Sequence, residues 1–443
     1  VLTIAGCEAV TMDESVNFDA LRRLPVTERI PELIRLENEY PDNPAVKLEL
    51  GLAYGSAGQY AIAEEYFRRA LEQSDRDAEL QARAALGLAN AHLGQGEFAD
   101  AIRVAAAYQT GSEASSLKLV EARAQFLAQN SDEARALYAQ VWDHVTEQLI
   151  ASDYLQYADS LIRSDEFGHA RDVLSAALER YGYASGIGFR LSTVAEAGGD
   201  SSASILYAFL DSLHAVEVGT LDREQLLSNL GRIREQTGGD GAPRDALEFA
   251  VAVAAESWGE ADALAEGVSM PVGAEVLSAI ATANADPSDE LIREELVGFV
   301  DRFGNYAPLY QALIRSFRED PEYRFATART VLERAVSLAP QGPVGVAARA
   351  ELGRLLGLPA SDVANLLTDQ ELVVRAQAAA AGSALEPTVG AILTSLALPE
   401  HPYTSTALSL VRDLVRLDRV LEYVVRWIER GPEAARRRVT PLL

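Results

Sequence analysis

Cysteine occurs once in 443 residues, at Cys7, and lysine only twice, at Lys47 and Lys118. A lone thiol forms no internal disulfide and builds no thiolate metal site, so packing alone must hold the fold together. Aromatic residues make up only 7 % of the chain, alanine is abundant, and no alternating apolar–polar stretch of strand length appears. Closely packed helices fit that composition better than a β-sandwich. Past the first residues no apolar run is long enough to span a bilayer, so the remainder is expected to be soluble. Positive charge is scarce as well: 39 basic residues against 66 acidic ones leave a formal charge of −27. A surface of that sign repels phosphates, which argues against nucleic acid as a partner. The last stretch is the exception. From Ala380 to Leu443 eight arginines balance seven acidic residues.

Catalytic signatures are missing too. The histidines are His92, His144, His169, His214 and His401, and none is spaced from another histidine or a glutamate as in a helical zinc motif. They read as packing or surface residues. The one glycine-rich stretch, GGDGAP from Gly238 to Pro243, lacks the Lys-Ser/Thr ending of a phosphate loop and reads as a turn. No GxSxG elbow occurs, and carboxylates are too numerous for any pair to stand out from a solvated helix face. The expectation is therefore a non-catalytic protein with no cofactor and no metal. Arg436, Arg437 and Arg438, with Arg426 and Arg430 upstream, form the one basic cluster. Its expected role is to favour the C-terminal end of the last helix.

What the chain does have is internal repetition. In Ala45–Glu72, Leu50, Gly51 and Tyr54 lie on one face of a first helix, Gly58 and Tyr60 mark a turn, and Ala63, Phe67 and Ala70 share a face of a second helix. Small residues at Gly51 and Ala63 let two helices approach, with Tyr54 and Phe67 filling the space beside them. Pro41 stops a leading helix over Thr27–Glu39. The pattern returns at Leu88, Ala89, Gly96, Phe98 and Ala101, at Ala122, Ala134, Tyr138 and Val141, and at Ala158, Leu161, Phe167, Ala170 and Leu174. A weaker copy centres on Ala203. The second-helix alanines Ala63, Ala101, Ala134, Ala170 and Ala203 stand 38, 33, 36 and 33 residues apart.

This pattern resembles the tetratricopeptide repeat, whose period is about 34 residues. The resemblance covers about Thr27 to Ala215, and residues 27–217 are expected to be repeats of this kind. It implies an all-α α-solenoid of helical hairpins wound into a right-handed superhelix, whose inner face holds extended partners. Carried over residue by residue, the inward positions of the first helices are Leu52, Asn90, Arg123 and Asp159, with Phe126 and Arg163 about one turn further on. These side chains differ from the Lys/Asn clamp of chaperone-binding members. Arg123→Glu is expected to weaken partner binding and leave the fold intact. Beyond Ala215 the signature fades while helical patterning persists, so 218–443 is expected to continue the solenoid as degenerate helical repeats. Ser288 or Asp289 is placed to cap one helix there, and residues 404–430 read as one long amphipathic helix or a close pair.

The tetrapeptide Ile4-Ala5-Gly6-Cys7 resembles a bacterial lipobox. On that resemblance residues 1–6 are the remnant of a lipoprotein signal peptide, Cys7 is lipidated, and 7–26 is a linker. Several acyl chains on one residue give stable anchoring. The functional expectation is an envelope lipoprotein, lipid-anchored and facing the periplasm, that binds a protein or peptide partner. The alternative is the helical portion of a lytic transglycosylase-like enzyme without its catalytic domain.

Overall fold

The computed structural model describes residues 18–74, 77–109, 111–237, 241–319, 325–358, 363, 365–398 and 403–443. Cys7 and residues 1–17, Gly238–Asp240, Pro321 and His401 fall outside them. Among the described residues the chain is 78 % helical, with 25 α-helices and no strand. It divides into two compact units, Val1–Ala177 and Leu178–Leu443. The boundary falls inside a helix, about one repeat before the point where the sequence signature fades.

In the first unit the helices are α1 (Phe18–Arg22), α2 (Val26–Glu39), α3 (Pro44–Ser56), α4 (Tyr60–Gln73) and α5 (Ala78–Gln95). After them come α6 (Phe98–Ala107), α7 (Ala114–Leu127), α8 (Ser131–Val141), α9 (Ala151–Arg163) and α10 (Phe167–Tyr181). Each helix from α1 to α8 packs on the next, and α3, α5 and α7 each also touch the following odd-numbered helix. Local chemistry sets the ends. Asn43 caps α3, its side chain accepting from the Ala45 and Val46 N–H groups at 2.9 and 3.4 Å, with Pro44 at the first position. Asp77 caps α5 in the same way through Leu80 N, at 3.0 Å.

The hairpin turns share one geometry. Gly58, Gly96, Gln129 and Asp165 all have left-handed backbone, and each stands five residues before a buried alanine of the next helix, Ala63, Ala101, Ala134 and Ala170. After each, the next N–H donates to a carbonyl five residues back: Gln59 to Tyr54, Glu97 to His92, Asn130 to Gln125 and Glu166 to Leu161, all at 2.9 Å. That bond satisfies a carbonyl the ending helix leaves open. Two of the four copies adopt this turn without glycine.

The helices meet closely where a side chain is missing. Phe67 of α4 lies between Gly51 of α3 and Gly87 of α5: a Cβ on either glycine would fall 2.6 or 2.3 Å from its ring. Tyr54 stacks on Tyr66 at 5.5 Å, and the Tyr66 phenol donates to Glu37 at 3.1 Å, with burial pushing its pKa up to about 12.

The second unit begins its own helices with α11 (Ile187–Ala197), α12 (Ser201–Glu217), α13 (Arg223–Gln236), α14 (Ala242–Ala254) and α15 (Trp258–Ala265). It continues with α16 (Glu275–Ala285), α17 (Glu290–Phe303), α18 (Ala307–Glu319), α19 (Phe325–Leu338) and α20 (Pro343–Leu355). The last are α21 (Asp369–Ala380), α22 (Ala391–Ser395), α23 (Thr404–Leu414), α24 (Asp418–Ile428) and α25 (Glu433–Val439). Residues 404–430 thus form a close pair, α23 and α24. Asp289 is the cap of α17, its side chain accepting from Leu291 N at 2.8 Å. The hairpin turn also recurs here. Glu256 has left-handed backbone, Ser257 N donates to Ala252 O at 2.9 Å, and Ala261 is fully buried five residues on. The sequence signature has faded by this point, yet the backbone repeats the turn.

At the centre of this unit α12 touches α11, α13, α14, α18 and α20. A second apolar cluster, with Leu372, Ile392, Leu393, Val411, Val424 and Val439, joins α21 to α25. Arg438 serves it from an unexpected side, donating to the carbonyls of Leu396 and Leu398 at 2.9 and 2.8 Å just beyond α22. The basic cluster therefore finishes a neighbouring helix as well as its own.

Candidate functional site

The open surface of the first unit that holds sequence-predicted positions lies along α3 and α5. A cavity of about 330 Å³ is lined by Leu48, Leu52 and Gly55 of α3, Tyr60 and Phe67 of α4, and Arg83, Leu86 and Asn90 of α5, with Glu113 beside them. The lining follows from helical periodicity: Leu48, Leu52 and Gly55, like Arg83, Leu86 and Asn90, recur at three- and four-residue spacing and so share a face. Gly51 and Gly87 keep the floor shallow by leaving Phe67 as its only bulk between them.

Leu52 and Asn90, both expected as inward-facing residues, share this cavity; Leu52 is 37 % exposed. Asn90 is exposed and its side-chain amide donates to Leu86 O at 2.9 Å. Arg83 stands 3.6 Å from the buried Glu49 carboxylate, which Arg22 also holds. The cavity thus offers an apolar floor with a guanidinium and an amide at its rim. Such a lining suits one apolar side chain carried on a polar backbone.

The other four expected positions lie outside this cavity. Phe126 of α7 and Arg163 of α9 meet each other, the guanidinium 5.8 Å from the ring centre, and Arg163 also reaches Ser131. Asp159 is half-buried on α9. Arg123 departs most from expectation. Its guanidinium donates to both oxygens of Asp153 at 2.7 and 2.8 Å, and the Asp153 carboxylate is 0 % exposed. Asp153 also takes the Ile150 N–H at 2.8 Å, fixing the start of α9. Arg123 is therefore a strut between α7 and α9. The expectation that Arg123→Glu leaves the fold intact is overturned, because it would place a second carboxylate against a buried one.

Sequence reasoning missed Tyr60, Arg83, Leu86 and Glu113 as lining residues. The spacing of Arg83 and Leu86 ahead of Asn90 was the signal for two of them. Among the described residues one group of three side chains, Glu64, His92 and Glu97, brings donor atoms close enough for a cation. Glu64 is one turn along α4 from the cavity residue Tyr60.

No protein-family model matches the chain, and no curated protein matches it either. Among the described residues no helix is long and apolar enough to cross a membrane.

Proposed function

We propose that the chain is a bacterial envelope lipoprotein, tethered through lipid on Cys7, that binds a protein or peptide partner and performs no chemistry of its own. In this reading its hairpins are tetratricopeptide repeats stacked as a right-handed superhelix, and the partner lies along the first helices. The observation that carries it is the shared cavity at Leu52 and Asn90: two positions drawn from different repeats by the same rule open on one pocket with an apolar floor. The recurring left-handed turn, five residues ahead of each buried alanine, supports the same architecture. Binding energy would come from one apolar anchor seated over Phe67, with Arg83 and Asn90 setting its direction.

The test is site-specific photocrosslinking in the native envelope, with the probe at Leu52, at Asn90, or at the exposed Glu72 of α4. A discrete protein adduct from both cavity positions and none from Glu72 is the expected result. The same adducts from Glu72, or none from any position, would overturn the groove. The tether is tested apart from it: Cys7→Ala is expected to move the protein into the soluble envelope fraction, and continued membrane association would remove lipidation from the reading.

A further inference from the structure

We propose that Glu64, His92 and Glu97 form a divalent-metal site that takes Zn²⁺ and joins the first two hairpins. Three elements converge there. Glu64 is on α4, His92 is in the last turn of α5, and Glu97 immediately precedes α6. One donor atom from each lies within 4.8 Å of the others. Tetrahedral zinc, with bonds near 2.0 Å, needs donors about 3.3 Å apart, so small side-chain rotations close the set. His92 Nδ1 and Glu97 Oε2 already stand 2.7 Å apart. Imidazole nitrogen and carboxylate oxygen are both zinc ligands, and in three-ligand zinc sites water completes the shell.

Several features distinguish this group from carboxylates scattered on a helix face. The His92 side chain is only 9 % exposed, whereas the Glu97 side chain is 47 % exposed, so the group is closed on the protein side and open to water on the other. The turn fixes Glu97: Gly96 is left-handed, and Glu97 N donates to His92 O at 2.9 Å, tying the two ligands' backbones together. Gly94 fixes Glu64. A Cβ there would lie 2.8 Å from the Tyr60 ring, so α4 and α5 approach closely one turn from Glu64. The outer partners are present as well. Gln95 Nε2 donates to Glu64 Oε2 at 2.9 Å, and Arg68 holds Glu64 Oε1 while keeping Glu65 as a second partner at 2.7 Å. Bonds of this kind orient metal ligands and raise affinity. Asp100, in the first turn of α6, adds a further carboxylate within electrostatic reach of His92.

The test uses the full chain without an affinity tag and with Cys7→Ser, so that the one thiol contributes nothing. Zn²⁺ is titrated into chelator-treated protein against a chromophoric competitor, and thermal midpoints are followed in parallel. One Zn²⁺ per chain and a midpoint that rises with Zn²⁺ concentration are expected. Glu97→Gln, at an exposed position that leaves the fold intact, should weaken binding by at least about tenfold. His92→Gln should abolish it, and Glu72→Gln should change nothing. Absence of stoichiometric Zn²⁺ binding, or a Glu97→Gln variant that binds as tightly as its parent, would overturn the site.

Discussion

The two units bury polar groups in different ways. In the first, contacts run between near neighbours, α3 with α4 and α5, α5 with α6 and α7. Apolar closeness is achieved by omission, with Phe67 set between two glycines. Where a carboxylate is buried, arginine answers it: Arg123 at Asp153, and Arg22 at Glu49 with Arg83 3.6 Å away. In the second unit α12 has neighbours on several sides and buries Asp211, His214 and Glu217 together. The Tyr183 phenol donates to Asp211 at 2.7 Å and Phe189 N donates to the other oxygen at 2.8 Å. His214 lies against Tyr183 and Tyr306, and Ala307 N donates to its Nδ1 at 3.2 Å. Glu217 meets Arg223, which also holds Glu256 at 3.0 Å, and Glu256 in turn meets Arg315 at 2.7 Å. In the hairpin row the second helices α4 and α6 bury one apolar face, while α3 and α5 are buried on most sides mainly by small and aliphatic residues. Packed by five others, α12 keeps only a partly exposed stripe through Ser204, Ala208 and Ser212, and the polar residues on its other sides are paired inside.

That contrast gives four predictions. The largest effect is expected at Arg123→Glu, which leaves Asp153 buried beside a like charge and should cost about 5 kcal/mol. Hydrogen exchange should show the loss confined to α7–α9, and a loss spread through the second unit would contradict the division into units.

Phe67→Ala comes next, at about 4 kcal/mol, through the cavity it leaves. Gly87→Ala should cost about 2 kcal/mol in the parent by overpacking the ring, and almost nothing in the Phe67→Ala background. Additive costs in that double-mutant cycle would show that the glycine serves something other than the ring.

The third test addresses the second unit through pH. Burial lowers the His214 pKa to about 4, against 6.5 unperturbed. The unfolded chain therefore takes up a proton before the folded one does. Stability from this residue is fully present above pH 6.5 and is lost as pH falls towards 4, a loss of about 3 kcal/mol. Asp211 works in the opposite direction, because burial raises its pKa and acid favours its folded form. The two are separable: His214→Phe should flatten the limb between these values in urea titrations, at a fixed cost of about 1 kcal/mol for the unpaired Ala307 N–H. An unchanged limb would mean that the ring is not the proton acceptor.

The smallest effect is a gain. Gln129 holds left-handed backbone in the place where Gly58 and Gly96 stand in the earlier turns, so Gln129→Gly should stabilise by up to about 1 kcal/mol in thermal or denaturant melts. Destabilisation there would show that the Gln129 side chain does more than tolerate the turn.

Much of the first unit was legible in the sequence because each of its hairpins solves a local problem with local residues. Asn43-Pro44 starts a helix, Gly58 and Gly96 turn the chain, and a small residue five positions later admits the partner helix. Leu52 and Asn90 were readable for the same reason: their direction follows from position on the helix. Arg123 was not. Its partner Asp153 is 30 residues away, and a sequence face gives no sign that the two meet. The metal cluster escaped similarly, since a search by spacing sees ligands on one helix, while Glu64, His92 and Glu97 come from three elements. The copy at α14–α15 escaped although Trp258 stands where Tyr60, Phe98 and Phe167 follow the earlier turns, because alanines crowd this stretch and none marks the close approach.

By itself the sequence determined an all-helical chain, the positions of the hairpins in its first unit and the sign of its surface, because helix periodicity, capping and turn chemistry act within a few residues. Only the tertiary structure decided which charges are spent on one another, which helix of the second unit lies at its centre, and which residues of separate hairpins face a common space. Those outcomes depend on contacts between residues far apart in the chain, and a buried polar group is defined by what surrounds it.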